Sequence, residues 1–349
     1  MNPRRFTGVA MAAALLLIFV GAGIDTLGAA RAAPPPGGTI VVANRLSGSL
    51  SIIDVATDSV MTLTMPAGDK TPEPMYVVHS RTAKRVFVGD RANNRVVAFD
   101  DQDWSVEGTV AAGSGVFHMW ADPQDNQLWV NNDVDNTSTV FNPRTLEVLT
   151  TVSMPADLVA AGLKPHDVVL DTKYAYVSLL GGDASYVVKF SKKSFQEVDR
   201  ATVGDDPHLS LTLTNDYLYV ASQGSSEVRV LARKDLEVAT TLAVPAAHGA
   251  GMAGTQKRFY ATNIAGGGVD ALYTIDTGSN TLVGSPVDTP YPVPHNLALT
   301  HQGTKLYVTH SGATSDKVTV FDTSGSTGVP VYLGEVTVGL NPFGLAYVK

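Results

Sequence analysis

The sequence predicts an all-β protein, a closed β-propeller of seven blades. Three observations lead to this prediction. Short segments that alternate apolar and polar residues, separated by turns rich in glycine, asparagine and aspartate, fill the chain from residue 39 onward. A unit with an apolar strand, a polar turn and a second strand containing "YV" recurs at intervals of 40 to 48 residues. The first unit lacks its first strand, and the C-terminus supplies one.

The N-terminal 32 residues have the pattern of a secretory signal peptide. Arg4 and Arg5 precede the apolar run VAMAAALLLIFVGAG, and Ala30-Arg31-Ala32 offers the small residues that signal peptidase requires. The run is too short for a comfortable membrane span, although a retained N-terminal anchor is the alternative. We expect residues 1–32 to be a signal peptide, residues 33–38 a flexible segment and residues 39–349 the propeller.

The mature protein is therefore expected in the periplasm or outside the cell, with no membrane span. The paired arginines leave both the general secretory and the twin-arginine export routes open. The chain has a formal net charge of −8, and removal of a signal with three arginines and one aspartate makes it −10. Such an acidic protein lacks the basic surface that nucleic-acid binding needs. We expect a monomer whose partner is a small-molecule substrate or ligand.

The chain contains no cysteine, which excludes disulfides, zinc-thiolate sites and cysteine nucleophiles. It also contains no G-x-S-x-G, no H-E-x-x-H and no phosphate-binding glycine loop. The common motifs for hydrolase, zinc-protease and nucleotide chemistry are thus missing. Any chemistry must come from residues that the repeat brings together.

One anchor residue marks the first strand of each repeat unit. Successive anchors are 43, 48, 42, 40, 47 and 48 residues apart, and each unit has room for four short strands, as in a propeller blade. The anchors are Met75, His118, His166, His208, His248, His295 and Phe343. The C-terminal strand completes the first blade and closes the ring, which removes exposed sheet edges. An open solenoid, the alternative, would need capping repeats.

Two insertions, at residues 155–163 and 323–331, are expected to be loops, and no helix is expected after the signal.

Four segments carry a family resemblance. YVTH (307–310), YATN (260–263), YVAS (219–222) and VVAN (41–44) each follow an apolar residue and close a second strand. With them the chain resembles the YVTN-repeat β-propeller family over essentially its whole mature length. The resemblance implies a seven-bladed ring in an extracytoplasmic protein, and it leaves the function open because such proteins are functionally diverse. The histidines are not part of that motif.

Five of the seven anchors are histidine, and they lie in consecutive units. The first strand of a blade lines the central channel, and the antiparallel second strand returns to the same face. The anchors and the residues that close the second strands should therefore meet at one channel mouth. The expected metal ligands are His118, His166, His208, His248 and His295. Expected additional ligands or supporting residues are His310, Met75, Asp90, Asn132 and Asn263. Asp167, Asp206 and Glu73 are further carboxylates near this mouth that could act as a base or orient a histidine.

Clustered neutral imidazoles favour a shared transition-metal ion, because they cannot all be protonated. Copper is the favoured ion, since affinity among divalent ions peaks at copper, and zinc or iron is the alternative. Met75 would add a soft ligand for Cu(I), or it fills a gap in the core. The competing interpretation is that these histidines hydrogen-bond to backbone groups or channel water.

Three classes of function follow. In the first, the protein is an extracytoplasmic metal-dependent enzyme, an oxidoreductase or a lyase, that acts on a small molecule. In the second, it binds a metal or an organic ligand without catalysis. In the third, it is a cell-surface interaction scaffold. The sequence identifies no catalytic residue.

Overall fold

A computed structural model describes residues 1, 37–211, 215–253, 257–264 and 270–349. These residues form seven antiparallel sheets, which confirms the predicted seven-bladed propeller. Apart from residue 1, the expected signal peptide over residues 1–32 lies outside the described residues, as does most of the segment 33–38. None of the described helices is long and apolar enough to cross a membrane.

The first three blades contain eleven strands of the numbered order and receive a twelfth from the C-terminus. Blade one contains β1 (Thr39–Asn44), β2 (Ser49–Asp54), β3 (Val60–Thr64) and the C-terminal β29 (Pro342–Val348). Blade two contains β4 (Pro74–Ser80), β5 (Arg85–Asp90), β6 (Arg95–Asp100) and β7 (Val106–Ala111). Blade three contains β8 (Val116–Ala121), β9 (Leu128–Asn132), β10 (Thr137–Phe141) and β11 (Val148–Ser153).

The remaining four blades repeat this plan, and the outer strand of blade six is split in two. Blade four contains β12 (Lys164–Leu170), β13 (Tyr174–Leu180), β14 (Ser185–Ser191) and β15 (Glu197–Val203). Blade five contains β16 (Pro207–Leu211), β17 (Tyr217–Ser222), β18 (Glu227–Ala232) and β19 (Val238–Ala243). Blade six contains β20 (Ala247–Ala253), β21 (Arg258–Asn263), β22 (Ala271–Asp276), β23 (Thr281–Leu282) and β24 (Val287–Asp288). Blade seven contains β25 (Pro294–Leu299), β26 (Lys305–His310), β27 (Lys317–Asp322) and β28 (Val331–Thr337).

Burial explains why the sequence of each strand depends on its place in the blade. The second strands lie between two neighbouring blades, so both of their faces are covered and they contain continuous apolar runs, as residues 40–43 of β1 do. The outermost strands, such as β7, are largely exposed and carry polar residues. The core consists of seven apolar clusters, and each fills the space between two adjacent blades, as Val41 and Val88 do between blades one and two.

The C-terminal strand closes the ring. β29 pairs antiparallel with β1, with Val348 opposite Thr39 and Pro342 opposite Asn44. β1 would otherwise present its backbone donors and acceptors as an open edge at the channel. The predicted completion of blade one by the C-terminus is therefore confirmed.

One short helix departs from the expectation of an all-strand mature chain. Helix α1 (Ala156–Ala160) lies in the insertion between β11 and β12 that was expected to be a loop, so that expectation was wrong. Pro155 precedes the helix with a φ of −54°, which suits a helix start. Leu158 and Leu163 are buried against the apolar cluster of blades three and four, and this packing holds the turn in place. The second insertion is irregular before β28 begins at Val331, as expected.

Candidate metal centre

The innermost strands place seven residues at equivalent positions around one mouth of the channel. Six of these strands begin with a residue paired to the last residue of the second strand, as Pro207 pairs with Ser222. In blade four the equivalent pair, Pro165 and Leu179, lies one residue inside both strands. We call the residue that follows each such paired residue a ring position. The ring positions are Met75, Phe117, His166, His208, His248, His295 and Phe343. Four of them are histidines, on the consecutive blades four to seven.

His118 does not share the ring position that the sequence assigned to it. Val116 pairs with Asn132, so Phe117 occupies the ring position of blade three and His118 follows it. As in most other blades, a β-bulge leaves two residues between consecutive pairs of the ladder, and in blade three the histidine is the second of them and not the first. His118 therefore lies one layer deeper in the channel, at the position that Asp167 occupies in blade four.

The five predicted histidines nevertheless form one continuous cluster. Ring centroids are 4.6 Å apart for His166 and His208, 3.7 Å for His208 and His248, and 4.7 Å for His248 and His295. His118 approaches from below, with its ring centroid 5.1 Å from that of His166 and 5.5 Å from that of His208. We call these five residues the histidine cluster. Four of them are less than 9% exposed, and the side chain of His166 is 15% exposed.

Asp167 fixes the orientation of His118. Its Oδ1 lies 2.8 Å from Nδ1 of His118, and the carboxylate also accepts hydrogen bonds from the backbone N–H groups of Val168 and Leu209. Nδ1 of His118 must therefore carry the proton, and Nε2 is buried with no hydrogen-bond partner among the described residues. A carboxylate behind a histidine in this way sets the tautomer that presents Nε2 as a metal ligand.

His166, His208 and Asp206 bring three further donor atoms together. The Nε2 atoms of the two histidines are 3.2 Å apart, and Oδ1 of Asp206 lies 3.3 Å and 3.6 Å from them. Among the described residues, two groups could hold an ion, each with ligand atoms within 4.8 Å of one another. One group is His118, His166 and His208, and the other is Asp206, His208 and His248.

Burial keeps most of the cluster uncharged. It lowers the pKa of His118, although the charge of Asp167 opposes that shift. Burial, followed by the charge of His208, lowers the pKa values of His166, His248 and His295 well below the ordinary value of 6.5. Asp206 behaves differently: burial raises its pKa, but the hydrogen bond and charge of His208 outweigh this and bring it to about 2. Neutral imidazoles beside an ionised carboxylate form the donor set that a transition metal prefers.

A family model described as "Lactonase, 7-bladed beta-propeller" matches residues 34–247, more than half of the chain. The chain belongs to this lactonase propeller family. A search of curated protein sequences gives no match.

Solved structures agree with this lactonase propeller fold. The periplasmic gluconolactonase of Pseudomonas aeruginosa is 18% identical, with a TM-score of 0.69 over 89% of this chain and 99% of that one. Hydrazine synthase of Kuenenia stuttgartiensis is 16% identical, with a TM-score of 0.66 over 81% of this chain and 91% of that one. A protein of Lactobacillus plantarum is 18% identical, with a TM-score of 0.71 over 90% of this chain and 100% of that one. At these identities the likeness shows the fold alone.

The five residues predicted as additional ligands or supporting residues contact other parts of this lactonase-family propeller. Met75 is buried in the apolar cluster between blades two and three. Asn132 donates to Thr139, and Asp90 accepts from Arg95. His310 bonds to Thr319 and Asn263 accepts from the backbone of Ala271, so each bridges to the third strand of its own blade. None of these contacts joins one of the five residues to a histidine of the cluster.

Sequence reasoning missed the residues directly beneath the cluster. Tyr76 lies with its ring centroid 3.7 Å from that of His118, and its hydroxyl is buried with no hydrogen-bond partner among the described residues. Asn296 contacts Nδ1 of His295 at 3.0 Å. Both line a cavity of about 90 Å³ together with His118, Asp167 and His208. The signal was present in the sequence, because both residues directly follow a ring position.

Proposed function

We propose that this protein is a metal-dependent hydrolase of small lactones and that the histidine cluster holds the ion. The family match and the fold of the periplasmic gluconolactonase support the substrate class. The geometry of His118, His166 and His208 supports the metal. A bound ion would act as a Lewis acid on the ester carbonyl and lower the pKa of a water molecule that attacks it.

The observation that carries this proposal is the 3.2 Å separation of the Nε2 atoms of His166 and His208. Two imidazoles bound to one tetrahedral ion at 2.0–2.1 Å have nitrogens about 3.3 Å apart. His118 supplies the third nitrogen in the tautomer that Asp167 selects. Three protein ligands and one open position are typical of catalytic sites.

The donor set decides which ions are candidates. With no thiolate in the chain, imidazole nitrogens favour copper, zinc or iron, and copper binds most tightly among the divalent ions. We therefore expect copper to be retained most strongly, and zinc would supply the same Lewis acidity. Asp206, with a pKa of about 2, is a poor general base and a good anionic ligand, so with His208 and His248 it offers the ion an alternative position.

The proposed location is the periplasm or the extracellular space. The signal-like N-terminus supports export, and the similarity in fold to a periplasmic gluconolactonase is consistent with it. Membership of the YVTN-repeat group within the propellers is part of the same proposal and rests on the four strand-closing segments.

The test is to purify the protein without a polyhistidine tag and to measure its metal content and its hydrolysis of glucono-δ-lactone. The wild type should contain stoichiometric metal and hydrolyse the lactone, and the His166→Ala/His208→Ala double variant should lose both. His79→Ala is the matched control, because His79 bonds to Asp101 outside the cluster and should leave both properties intact. Equal trace metal in all three proteins, even after reconstitution with copper, zinc and iron, would disprove the metal site.

A non-catalytic metal-binding protein is the second candidate, and the burial of the cluster favours it. His208 and His295 are only 2% and 4% exposed, which limits the approach of a substrate from the histidine face. Stoichiometric metal without lactone hydrolysis, and without binding of azide to the copper-loaded protein, would support this alternative over the enzyme.

A further inference from the structure

The far end of the central channel forms a second, larger cavity of about 700 Å³. It is lined by the C-terminal ends of the innermost strands, as β25 shows. This strand carries His295 in the cluster near its start and reaches the cavity with Leu297 and Leu299. None of the five histidines of the cluster lines this cavity. It is therefore distinct from the histidine cluster, although it adjoins the cavity of about 90 Å³ at the cluster, with which it shares Trp120, Leu297 and Leu345 as wall residues.

The walls of this cavity suit an organic ligand. They are mainly apolar, and its volume lies within the range of about 300–1,000 Å³ that small-molecule sites occupy. Trp120 stands at the cavity with 40% of its surface exposed, an unusual degree of exposure for so large an apolar side chain. The other principal wall residues are Met252, Leu297, Leu299, Leu345 and Tyr347.

Two charged groups at the rim, the carboxylate of Asp125 and the guanidinium of Arg81, form no ion pair with the described residues. Asp122 forms an ion pair with Lys192 at 2.6 Å, and Asp125 accepts from the hydroxyl of Thr82 at 2.6 Å. His79 at the rim bonds to Asp101, just outside it. Arg81 is exposed and forms no ion pair or hydrogen bond with the described part of the chain. A guanidinium beside an apolar cavity attracts an anion with an apolar body.

We infer that this cavity is a binding site for an amphipathic organic monoanion, a carboxylate or sulfonate on an alkyl or aryl body. The apolar body lies against Trp120 and Leu299, and the anionic group pairs with Arg81. A second anionic group would meet Asp122 and Asp125, which disfavours dianions. The site goes beyond the proposed lactone hydrolysis, because it shares no residue with the histidine cluster.

The experiment is isothermal titration calorimetry with octanoate as the probe and octanamide as its uncharged match. Octanoate should bind the wild type about tenfold more tightly than octanamide does, since tenfold is what one charge-assisted hydrogen bond of about 1.4 kcal/mol supplies. Arg81→Gln should remove that preference, Arg81→Lys should retain part of it, and Trp120→Ala should weaken both ligands. Lys234→Gln is the control, because Lys234 is an exposed cation in the β18–β19 hairpin, outside the cavity lining, and should change nothing.

Two further arms separate this inference from the metal proposal. Octanoate should bind equally to the His166→Ala/His208→Ala variant and to wild type treated with a chelator, because the cluster takes no part. Binding that disappears in either sample would mean that octanoate binds the metal centre and would overturn the inference. No difference between octanoate and octanamide, or unchanged octanoate affinity in Arg81→Gln, would overturn it as well. Arg81→Gln, Arg81→Lys and Trp120→Ala replace exposed side chains, and far-UV circular dichroism spectra that match the wild type will show that they are folded.

Discussion

The Nε2 atoms of His166 and His208 face each other at 3.2 Å in the channel mouth. At this distance both facing nitrogens cannot carry a proton, so the pair shares either one proton or one cation. Burial and the charge of His208 hold the pKa of His166 well below its ordinary value. His166 is therefore neutral near pH 7, which favours binding of a metal ion over sharing of a proton. This pair is the core of the proposed metal centre, and its neighbours determine which of the two ligand groups holds the ion.

His208 is common to both candidate ligand groups, and this leads to the first prediction. His208→Ala should weaken metal binding by more than about 100-fold, a larger effect than the loss of an outer-shell partner, because it removes a direct ligand from each group. His248→Ala should affect only the group with Asp206 and leave the ion bound by His118, His166 and His208. Titration calorimetry with Cu(II) or Zn(II), combined with elemental analysis, measures both effects. Metal content in His208→Ala equal to that of wild type would rule out both groups.

The second prediction concerns Asp167, which holds Nδ1 of His118. Asp167→Asn keeps an oxygen acceptor but removes the charge, and we expect metal affinity to fall about 10- to 100-fold while the fold is retained. The matched control is Asp90→Asn. Asp90 is a buried carboxylate at the same face that pairs with Arg95 and does not contact the cluster. Equal affinity in the two variants would show that Asp167 does not orient a ligand.

The fold could be predicted from the sequence because the same weak strand pattern recurs in every repeat unit. One segment such as KLYVTH fits several kinds of sheet, but six similar segments at 40 to 48 residues fit a ring of blades. Closure followed from the missing strand before β1 and the spare strand β29. Helix α1 was missed because five residues are too few for a helical period to be recognised. Its stability comes from tertiary packing of Leu158, which local sequence does not reveal.

The site residues could be predicted from the sequence where each blade places its histidine at the same point of the strand pairing, and not elsewhere. His166, His208, His248 and His295 each directly follow the residue paired to the second strand, so aligning the repeats placed them together. His118 was aligned one position wrongly, because blade three carries its histidine at the second of the two residues that follow the paired residue, and the sequence does not show where the pairing lies. The unpartnered hydroxyl of Tyr76 depends on side-chain packing between blades, which no alignment of repeats contains.

The third prediction is a stabilising substitution at Val293. This residue has a φ of +57°, a left-handed conformation that is unfavourable for a β-branched side chain. Asn341 precedes Pro342 with a φ of +55°, just as Val293 precedes Pro294, and asparagine tolerates that region. Val293→Asn should therefore raise the free energy of unfolding by about 1 kcal/mol. Urea unfolding measures it.

Val238→Asn is the control for this change. Val238 lies exposed on the outer strand β19 and is absent from the left-handed residues, so asparagine there should be neutral or slightly destabilising. A loss of stability in Val293→Asn as large as that in Val238→Asn would mean that the backbone at Val293 stores no relievable strain.

The last prediction concerns the pH dependence that His310 contributes. Burial lowers the pKa of His310, although hydrogen bonds to the backbone of Pro292 and Tyr291 oppose the shift. The unfolded chain then binds a proton below pH 6.5 that the folded protein does not bind. Stability must therefore fall as the pH drops from about 6.5 toward the folded pKa, by at most about 1.4 kcal/mol per pH unit.

Asparagine at this position tests the prediction without disrupting the blade. Asn44 and Asn132 occupy the equivalent strand ends and bond to hydroxyls of the third strand, as His310 bonds to Thr319. His310→Asn should match the wild type near pH 7.5 and lose less stability than the wild type between pH 6.5 and 5. Urea unfolding at each pH, with a chelator in both samples so that metal occupancy is equal, gives the difference. The remaining slope in the variant belongs to the histidine cluster, whose lowered pKa values act in the same direction. Parallel curves for the two proteins would show that His310 is not held neutral in the folded state.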